Sequence, residues 1–385
     1  MQTWDGQKIS VDNENLKSDL LTVNMGPQHP ATHGVLRVEI KTDSEIVAEA
    51  IPHIGYLHRS MEKHCENLDY RGIIPFVDRM DYLASMSMEY GYALAIEKML
   101  EVEVPDRAKY VRIIIAELQR IASHLMAFGT YAIDLGAFSP FLYAFDEREK
   151  ILRIFEEVSG ARLLYNYMWI GGVWNDLTDD HLKRIDEFCD HFVGEIKKYN
   201  DLVSGNKIFM ERTSNVGVLS VDQCFDYGAT GPILRGSGFE WDLRKVEPYG
   251  GYDEFEFDIP VGTGEEGTVV GDCWNRYIVR MREMEESVKI IRQVLAKIQP
   301  GSFMAKVPKI IRLPKGEIYM RSECPRGELG YHIVSDGEKQ PYRLKVKSPC
   351  FTHTSMLGEM GPGQMIADFV ATIGSIDIVL GEVDR

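Results

Sequence analysis

The segment Asp106–Ile133 decides the fold, and it reads DRAKYVRIIIAELQRIASHLMAFGTYAI. Its apolar residues recur at helical spacing, which predicts a long helix with one side turned towards a core. Pro105 precedes the segment and separates it from another helical pattern, since proline does not continue a helix. A helix of this length buries its apolar side only against other elements, so we expect a bundle.

Similar periodicity extends over much of the chain. It predicts helices at Phe76–Glu101, after Ser139-Pro140, at Thr178–Leu202, at Asn275–Ile298 and near Gln364–Ile373. Thr178-Asp179-Asp180 is a typical helix start. The charged run Asp146–Lys150 predicts a helical turn that faces solvent or another subunit.

Strand patterns lie on both sides of the helical part. Leu20–Asn24, Val35–Thr42 and Glu45–Ile51 predict an N-terminal antiparallel sheet, and residues 315–347 predict further strands. Residues 226–270 predict irregular structure or short antiparallel strands. The fold class is therefore α+β: a large helical bundle with an N-terminal antiparallel sheet and further short β elements. We divide it into residues 1–58, with the arm and sheet, and residues 59–385, with the bundle.

Composition narrows the class of protein. The chain has 385 residues, of which 44% are hydrophobic, so it has ample material for a large core. Its 43 basic and 59 acidic residues give a net charge of −16, which argues against nucleic acid as a partner. The six cysteines form no Cys-x-x-Cys pair, and we expect free thiols. We expect neither a signal peptide nor a membrane span, so any membrane association is indirect.

A loop between the first two predicted strands carries two histidines. Gly26–Gly34 reads GPQHPATHG, in which His29 and His33 are held among two glycines and two prolines. Such a loop cannot be helical, and it suits a proton donor held at a fixed point. The alternative is that both histidines only satisfy a turn. A metal site is disfavoured, because the loop has neither carboxylate nor cysteine beside them.

One string imitates a dinucleotide-binding motif. Gly262-x-Gly264-x-x-Gly267 matches the glycine spacing, but Glu265 and Glu266 stand where a pyrophosphate would lie. No strand–helix–strand pattern surrounds it. We interpret it as an acidic loop or hairpin, and we expect that this chain does not bind NAD itself.

Two further groups have both a structural and a functional interpretation. Arg79, Tyr82, Met86 and Glu89 would share one face of the helix predicted over Phe76–Glu101. The Tyr82 hydroxyl either packs in a core or donates to a ligand in a cavity. Asp134 follows an apolar run, where it either caps a turn or pairs with a histidine.

Taken together, the motifs resemble the D subunit of respiratory complex I, the quinone-site subunit of proton-pumping NADH:quinone oxidoreductase. The resemblance covers nearly the whole chain, in order. It rests on Gly26–Gly34, Gly55–Arg59, Asp78–Tyr82, Asp134–Ala137, Glu147–Glu149, Ser159–Arg162, Gly171–Val173 and Asp377–Arg385.

This family is related to the large subunit of nickel–iron hydrogenases, and the resemblance implies that fold. Hydrogenases hold their metal with two Cys-x-x-Cys pairs. The matching positions here are Asp81 and Ala84, and Val379 and Glu382, none of which supplies a thiolate. The resemblance therefore implies that the metal site is lost and that its cavity is a quinone chamber.

The resemblance also implies a role for each matched residue. His33, Tyr82 and Asp134 are the expected catalytic groups, with Asp134 paired to His33. His29 and Met86 join His33 and Tyr82 in the expected quinone site. Quinone reduction takes up two protons, which a tyrosine hydroxyl and an imidazole are able to donate.

The remaining expectations concern the assembly. Arg59 and Arg79 are expected near the terminal iron–sulfur cluster of a partner, and this chain itself is expected to bind no metal or cluster. The substrate is a quinone, menaquinone or ubiquinone. The partners are the B, C and I subunits of complex I and its membrane-embedded H subunit, on the cytoplasmic side of the bacterial inner membrane. The alternatives are a structural scaffold of the peripheral arm, or a metal-containing hydrogenase large subunit.

Overall fold

Helix α4 (Asp106–Asp134) runs through the helical part of the molecule, at the position that the sequence predicts. The computed structural model describes residues 3–4, 7–8, 20–29 and 34–385. Helix α4 packs against α3 (Ser85–Leu100), α5 (Ser139–Ser159), α11 (Cys273–Lys297) and α14 (Ile366–Ser375). Its apolar side enters the largest core cluster, as its periodicity requires.

The other helices are shorter or lie around this group. Helix α6 begins after Thr178, whose side chain accepts a hydrogen bond from the His181 N–H. The further helices are α1 (Met61–Cys65), α2 (Ile74–Val77), α6 (Asp179–Tyr199), α7 (Lys207–Thr213), α8 (Val221–Tyr227), α9 (Pro232–Gly236), α10 (Leu243–Val246), α12 (Pro349–Ser355), α13 (Leu357–Met360) and α15 (Leu380–Asp384).

The sheets of the described residues are antiparallel, as predicted for the N-terminal sheet. The N-terminal sheet has the order β3–β4–β5, and the second larger sheet has the order β10–β9–β8. Alternate residues of β4 are buried, so one face of the N-terminal sheet packs on a core. The strands are β1 (Thr3–Trp4), β2 (Gln7–Lys8), β3 (Leu21–Met25), β4 (Arg37–Asp43), β5 (Ile46–His53), β6 (Met168–Trp169), β7 (Gly172–Val173), β8 (Gly316–Cys324), β9 (Gly327–Ser335) and β10 (Arg343–Lys347).

The N-terminal sheet shares its core with the C-terminal part of the chain. Val38 and Ile40 of the sheet belong to one buried cluster with Phe369, Ile373 and Leu380. The sheet thereby packs on the last helices of the chain, and a Cβ at Gly34, just before β4, would stand 3.8 Å from the Leu380 side chain. The boundary at residue 58 remains a prediction.

The single helix predicted over Phe76–Glu101 is wrong in its first part. Helix α2 ends at Val77, and α3 begins only at Ser85. The buried Asp81 carboxylate accepts hydrogen bonds from the N–H groups of Leu83 and Ala84, at 3.0 and 3.2 Å. This local bonding competes with helical bonding and makes residues 78–84 a turn.

Residues 226–270 are largely irregular, which agrees with the first of the two alternatives predicted for this range, and they include α9, α10 and short 3₁₀ turns in place of short strands. One other expectation needs correction. The run Asp146–Lys150 is helical, but Glu147 and Arg148 are only 3% and 7% exposed, so it is not a purely solvated turn. Residues 262–267, which have the glycine spacing of a dinucleotide-binding motif, form a loop with a 3₁₀ turn, as expected.

All six cysteines are free and buried, which confirms the expectation of unpaired thiols. Among the helices that the structure describes, none combines the length and apolarity needed to cross a bilayer.

Candidate functional site

A cavity of about 330 Å³ lies between the turn at residues 78–84, the C-terminal half of α4 and the segment before α15. Most of its wall is apolar, while a tyrosine and two aspartates contribute polar groups. The lining residues are Tyr82, Leu83, Met126, Thr130, Ile133, Asp134, Asp377, Ile378 and Val379. An apolar pocket with a few convergent polar groups is typical of a small-molecule site.

The turn places Tyr82 in this wall. Its neighbour Asp81 is fully buried on the other side of the turn. Helix α15 lies directly against the turn, because a Cβ at Gly381 would stand 2.5 Å from the Met80 carbonyl oxygen. Only glycine allows this approach, so Gly381 fixes the distance between the C-terminus and the Tyr82 turn.

A group of buried charges adjoins the cavity, and we call it the Arg326 cluster: Asp81, Arg326, Glu382 and Asp377, the last of which also lines the cavity. The Arg326 guanidinium donates to Asp81 Oδ2 at 2.5 Å and to the Asp377 carbonyl oxygen at 2.9 Å. It also lies 3.4 Å from Asp377 Oδ1. One guanidinium thus connects the turn at residues 78–84 to the segment that precedes α15.

The cluster contains more carboxyl groups than its arginine neutralises. Burial, followed by the charge of Asp81, raises the pKa of Glu382 to about 7, against the opposing effect of Arg326. The second oxygen of Glu382, Oε2, has no hydrogen-bond partner among the described residues. Glu382 is therefore a buried carboxyl group that titrates near neutral pH.

Tyr82 is half-buried, and its environment keeps it protonated. Burial and then the Asp81 charge raise the pKa of its hydroxyl above the usual 10. A neutral tyrosine is able to donate a hydrogen bond or a proton to an acceptor in the cavity.

Asp134 is the last residue of α4 and, like Tyr82, lines the cavity. Its carboxylate lies against Gly374, where a Cβ would stand 2.9 Å from Oδ2. The structure thus brings Asp134 and Tyr82, two of the three expected catalytic groups, to one cavity. The third, His33, lies outside the described residues.

The structure places the other expected site residues elsewhere. Met86 is fully buried in the main core cluster and is not among the residues that line the cavity. Tyr82 and Met86 do not share a helix face, because Tyr82 precedes α3. His29 is exposed, and its backbone pairs with Gly34 at the base of the loop.

Arg59 and Arg79 are brought together at the surface. Arg59 Nη2 donates to the Arg79 carbonyl oxygen at 2.9 Å, and Arg79 Nη1 donates to the Pro75 carbonyl oxygen at 2.5 Å. Both residues are exposed. They form a pair of cations on the outer side of the turn that carries Tyr82.

The C-terminus holds the segment before Arg59. Asp384 accepts hydrogen bonds from the N–H groups of Gly55 and Leu57, at 2.8 and 2.7 Å, and its carbonyl oxygen lies 2.7 Å from His58 Nδ1. The matched motifs Gly55–Arg59 and Asp377–Arg385 are therefore two halves of one local structure.

Comparison with known proteins shows the family of this chain. A family model described as the 49 Kd subunit of respiratory-chain NADH dehydrogenase matches residues 134–312 and 307–385. The chain belongs to this family. The 49 Kd subunit family consists of oxidoreductase subunits, which confirms the family that the sequence motifs predict.

Curated relatives extend the match to the whole chain. The D subunit of NADH-quinone oxidoreductase from Chlorobaculum tepidum is 52% identical over 385 residues, which cover 99% of this chain and 96% of the relative. The protein of the same name from Chlorobium luteolum is 51% identical over 387 residues, covering 100% of this chain and 98% of the relative. The α+β fold agrees with the hydrogenase-like fold of the 49 Kd family.

The donor set at the matched hydrogenase positions does not fit a nickel–iron centre. Asp81 and Ala84 meet the C-terminal segment with Val379 and Glu382, and the Arg326 guanidinium lies among them. Cys324 and Cys350 are nearby and buried, but they do not stand at the matched positions. Those four positions carry two carboxylates and two apolar side chains, which do not supply the four thiolates of such a centre.

Sequence reasoning missed most of the apolar cavity wall. Three residues of α4 line the cavity: Met126, Thr130 and Ile133. Their spacing does not distinguish them from the many apolar residues of this helix. The sequence did indicate Asp377, because this acidic residue is the first residue of the C-terminal motif Asp377–Arg385. Its backbone is left-handed, with a φ of 50°, a conformation that aspartate tolerates.

Proposed function

We propose that this chain forms the quinone-reduction pocket of a proton-translocating NADH:quinone oxidoreductase. The observation that carries the proposal is the apolar cavity in which Tyr82 and Asp134 face one ligand-sized space. In this proposal an apolar wall binds the quinone ring, and polar groups direct its oxygens.

The proposed chemistry follows from the reaction. Reduction of a quinone to a quinol takes up two electrons and two protons. Tyr82, whose pKa is raised, would hold a proton at its hydroxyl beside one quinone oxygen. His33 would supply the second donor, oriented by Asp134. Loss of the His33 proton would leave Asp134 unpaired, which favours a rearrangement that we connect with proton translocation.

The electrons would come from an iron–sulfur cluster held by a neighbouring subunit. The exposed pair Arg59 and Arg79 lies on the outer side of the Tyr82 turn, where it would face that subunit. Two guanidiniums near a cluster stabilise its reduced, more negative form. We assign this neighbour as the B subunit of complex I, with the C and I subunits and the membrane-embedded H subunit as further partners.

These partners would hold the chain on the cytoplasmic side of the inner membrane. The substrate would be menaquinone or ubiquinone, and the enzyme would act only as the assembled complex. A scaffold without a ligand is the second candidate, since the Arg326 cluster gives the cavity wall a structural role of its own.

The deciding experiment is quinone reductase activity of membranes that carry Tyr82→Phe, with assembly of the complex measured in parallel. We expect turnover to fall by about 10²–10⁴-fold in a fully assembled complex, the range for loss of a general acid. Tyr165→Phe is a matched control, because Tyr165 is buried away from the residues that line the cavity and its hydroxyl donates to the Arg162 carbonyl oxygen. Unchanged turnover in Tyr82→Phe would favour the scaffold.

A further inference from the structure

A histidine and two carboxylates converge between α5 and α6, away from the cavity. Glu147 of α5 and His191 and Glu195 of α6 each offer one ligand atom, and these atoms all lie within 4.8 Å of one another. We propose that these three residues form a binding site for a divalent transition-metal ion of the Zn²⁺ class, which Lys150 closes when no metal is present. This proposal does not depend on the quinone site.

The geometry is close to that of a zinc site. Bonds of 2.0–2.1 Å in tetrahedral coordination put neighbouring ligand atoms about 3.3 Å apart. His191 Nε2 lies 3.0 Å from Glu147 Oε1 and 3.9 Å from Glu195 Oε1. Small side-chain rotations therefore bring the three atoms to coordination distance. One imidazole with two carboxylates is a zinc-type ligand set that leaves a fourth position for water.

The burial of Glu147 is the independent sign that the site accommodates a cation. Glu147 is only 3% exposed, and its Oε2 has no hydrogen-bond partner among the described residues. A buried carboxylate oxygen without a partner is costly. A divalent cation bound at Glu147 Oε1 would offset part of the cost of burying this carboxylate.

Lys150 already puts a positive charge at this point. Its ammonium lies 2.5 Å from Glu147 Oε1 and 2.9 Å from His191 Nε2. His191 Nε2 also lies 3.0 Å from Glu147 Oε1, so the ammonium, the imidazole and the carboxylate meet at one point. The ammonium therefore occupies the position at which a cation would contact both Glu147 and His191.

Displacement of Lys150 has a low cost. Its side chain is 41% exposed, and its ammonium lies 3.7 Å from the exposed Asp146, which offers an alternative partner. Lys198 similarly contacts Glu195, at 2.7 Å, and is 56% exposed. Two exposed lysines thus compete with the metal, while the three ligands stay in place on two long helices.

The experiment is a footprint of the purified complex with diethyl pyrocarbonate, read as the extent of His191 modification by peptide mass spectrometry with increasing Zn²⁺. We expect Zn²⁺ to protect His191 and to leave His332 unprotected. His332 is a matched control, because it is 37% exposed and faces the single carboxylate Glu317 at 3.1 Å.

Variants distinguish Zn²⁺ binding at these three residues from nonspecific binding of Zn²⁺ to the protein surface. Glu195→Gln should abolish the protection of His191. Lys150→Met should lower the Zn²⁺ concentration for half-protection by about fivefold, equivalent to an exposed ion pair of about 1 kcal/mol. Lys183→Met, which removes an exposed lysine paired only with Glu187, should change nothing.

Equilibrium dialysis gives a second readout, in which the wild-type complex should retain one zinc more than the His191→Ala complex. The proposal is overturned if Zn²⁺ leaves His191 modification unchanged, if Glu195→Gln retains full protection, or if Lys150→Met does not strengthen binding.

Discussion

Asp81 and Tyr82 are adjacent in the chain, but Asp81 belongs to a group of buried charges and Tyr82 lines a cavity. Asp81 is fully buried in the Arg326 cluster, where each charge depends on another. Tyr82 is half-buried in the cavity wall, with a neutral hydroxyl beside an open space. The cluster therefore determines where the turn lies, and the position of the turn places Tyr82 in the cavity wall. Substitutions in the first region should affect assembly, and those in the second should affect only turnover.

The largest expected effect is that of Arg326→Met. It leaves Asp81 and Asp377 buried without their shared cation, and breaking a buried pair in this way costs about 3–5 kcal/mol. We expect loss of the assembled complex on native gels, together with loss of turnover. Normal assembly with lost turnover would contradict the division between the two regions.

The next effect concerns pH and Glu382. Its pKa is raised from 4.5 to about 7, so the folded state binds this proton more tightly than the unfolded chain does. The contribution of Glu382 to stability is therefore complete below about pH 4.5 and is lost as the pH rises to about 7.

Glu382→Gln should remove this dependence, on the order of 2–3 kcal/mol. The measurement is thermal unfolding of the purified complex between pH 5 and pH 8, where the variant should show a smaller loss of stability. Glu187→Gln, at an exposed position, is the control. Parallel pH profiles of wild type and Glu382→Gln would show that Glu382 does not titrate in this range.

A smaller effect is expected for Gly381→Ala, which tests the contact between the two regions. The new Cβ would stand 2.5 Å from the Met80 carbonyl oxygen and 3.4 Å from the Tyr82 ring. Overpacking of this kind costs about 1–3 kcal/mol. We expect an assembled but less stable complex with reduced turnover, because the Tyr82 turn must move.

Gly194→Ala is the matched control for that substitution. Gly194 lies within α6, and a Cβ there meets no atom within 4 Å. Alanine favours a helix over glycine by about 1 kcal/mol, so this variant should be equal to wild type or more stable. If Gly381→Ala behaves in the same way, α15 does not set the position of the turn.

The smallest effect is expected for Arg321→Met. Arg321 is 27% exposed and pairs with Glu247 and Glu328 near the surface, and Glu328 keeps Lys347 as a partner. Such pairs contribute about 0–1 kcal/mol. Thermal unfolding of the complex should hardly change, in contrast to Arg326→Met. An equally large loss would mean that burial does not distinguish the two arginines.

The sequence alone determined the long elements and the family. The apolar spacing of Asp106–Ile133 predicted α4, because a helical period is visible wherever one side of a long helix faces a core. The strand patterns predicted the N-terminal antiparallel sheet and the strands within residues 315–347. The motifs around Tyr82, Asp134 and Asp377 indicated the family that the comparisons confirm.

Only the tertiary structure decided how these motifs meet. The period of Phe76–Glu101 indicates one helix, but the buried Asp81 carboxylate accepts hydrogen bonds from the Leu83 and Ala84 N–H groups, and a turn forms there instead. The reason that Asp81 is buried is Arg326, which is 245 residues away in the chain. A sequence pattern reports local preferences, whereas the energy of a buried charge depends on partners that the fold alone brings close.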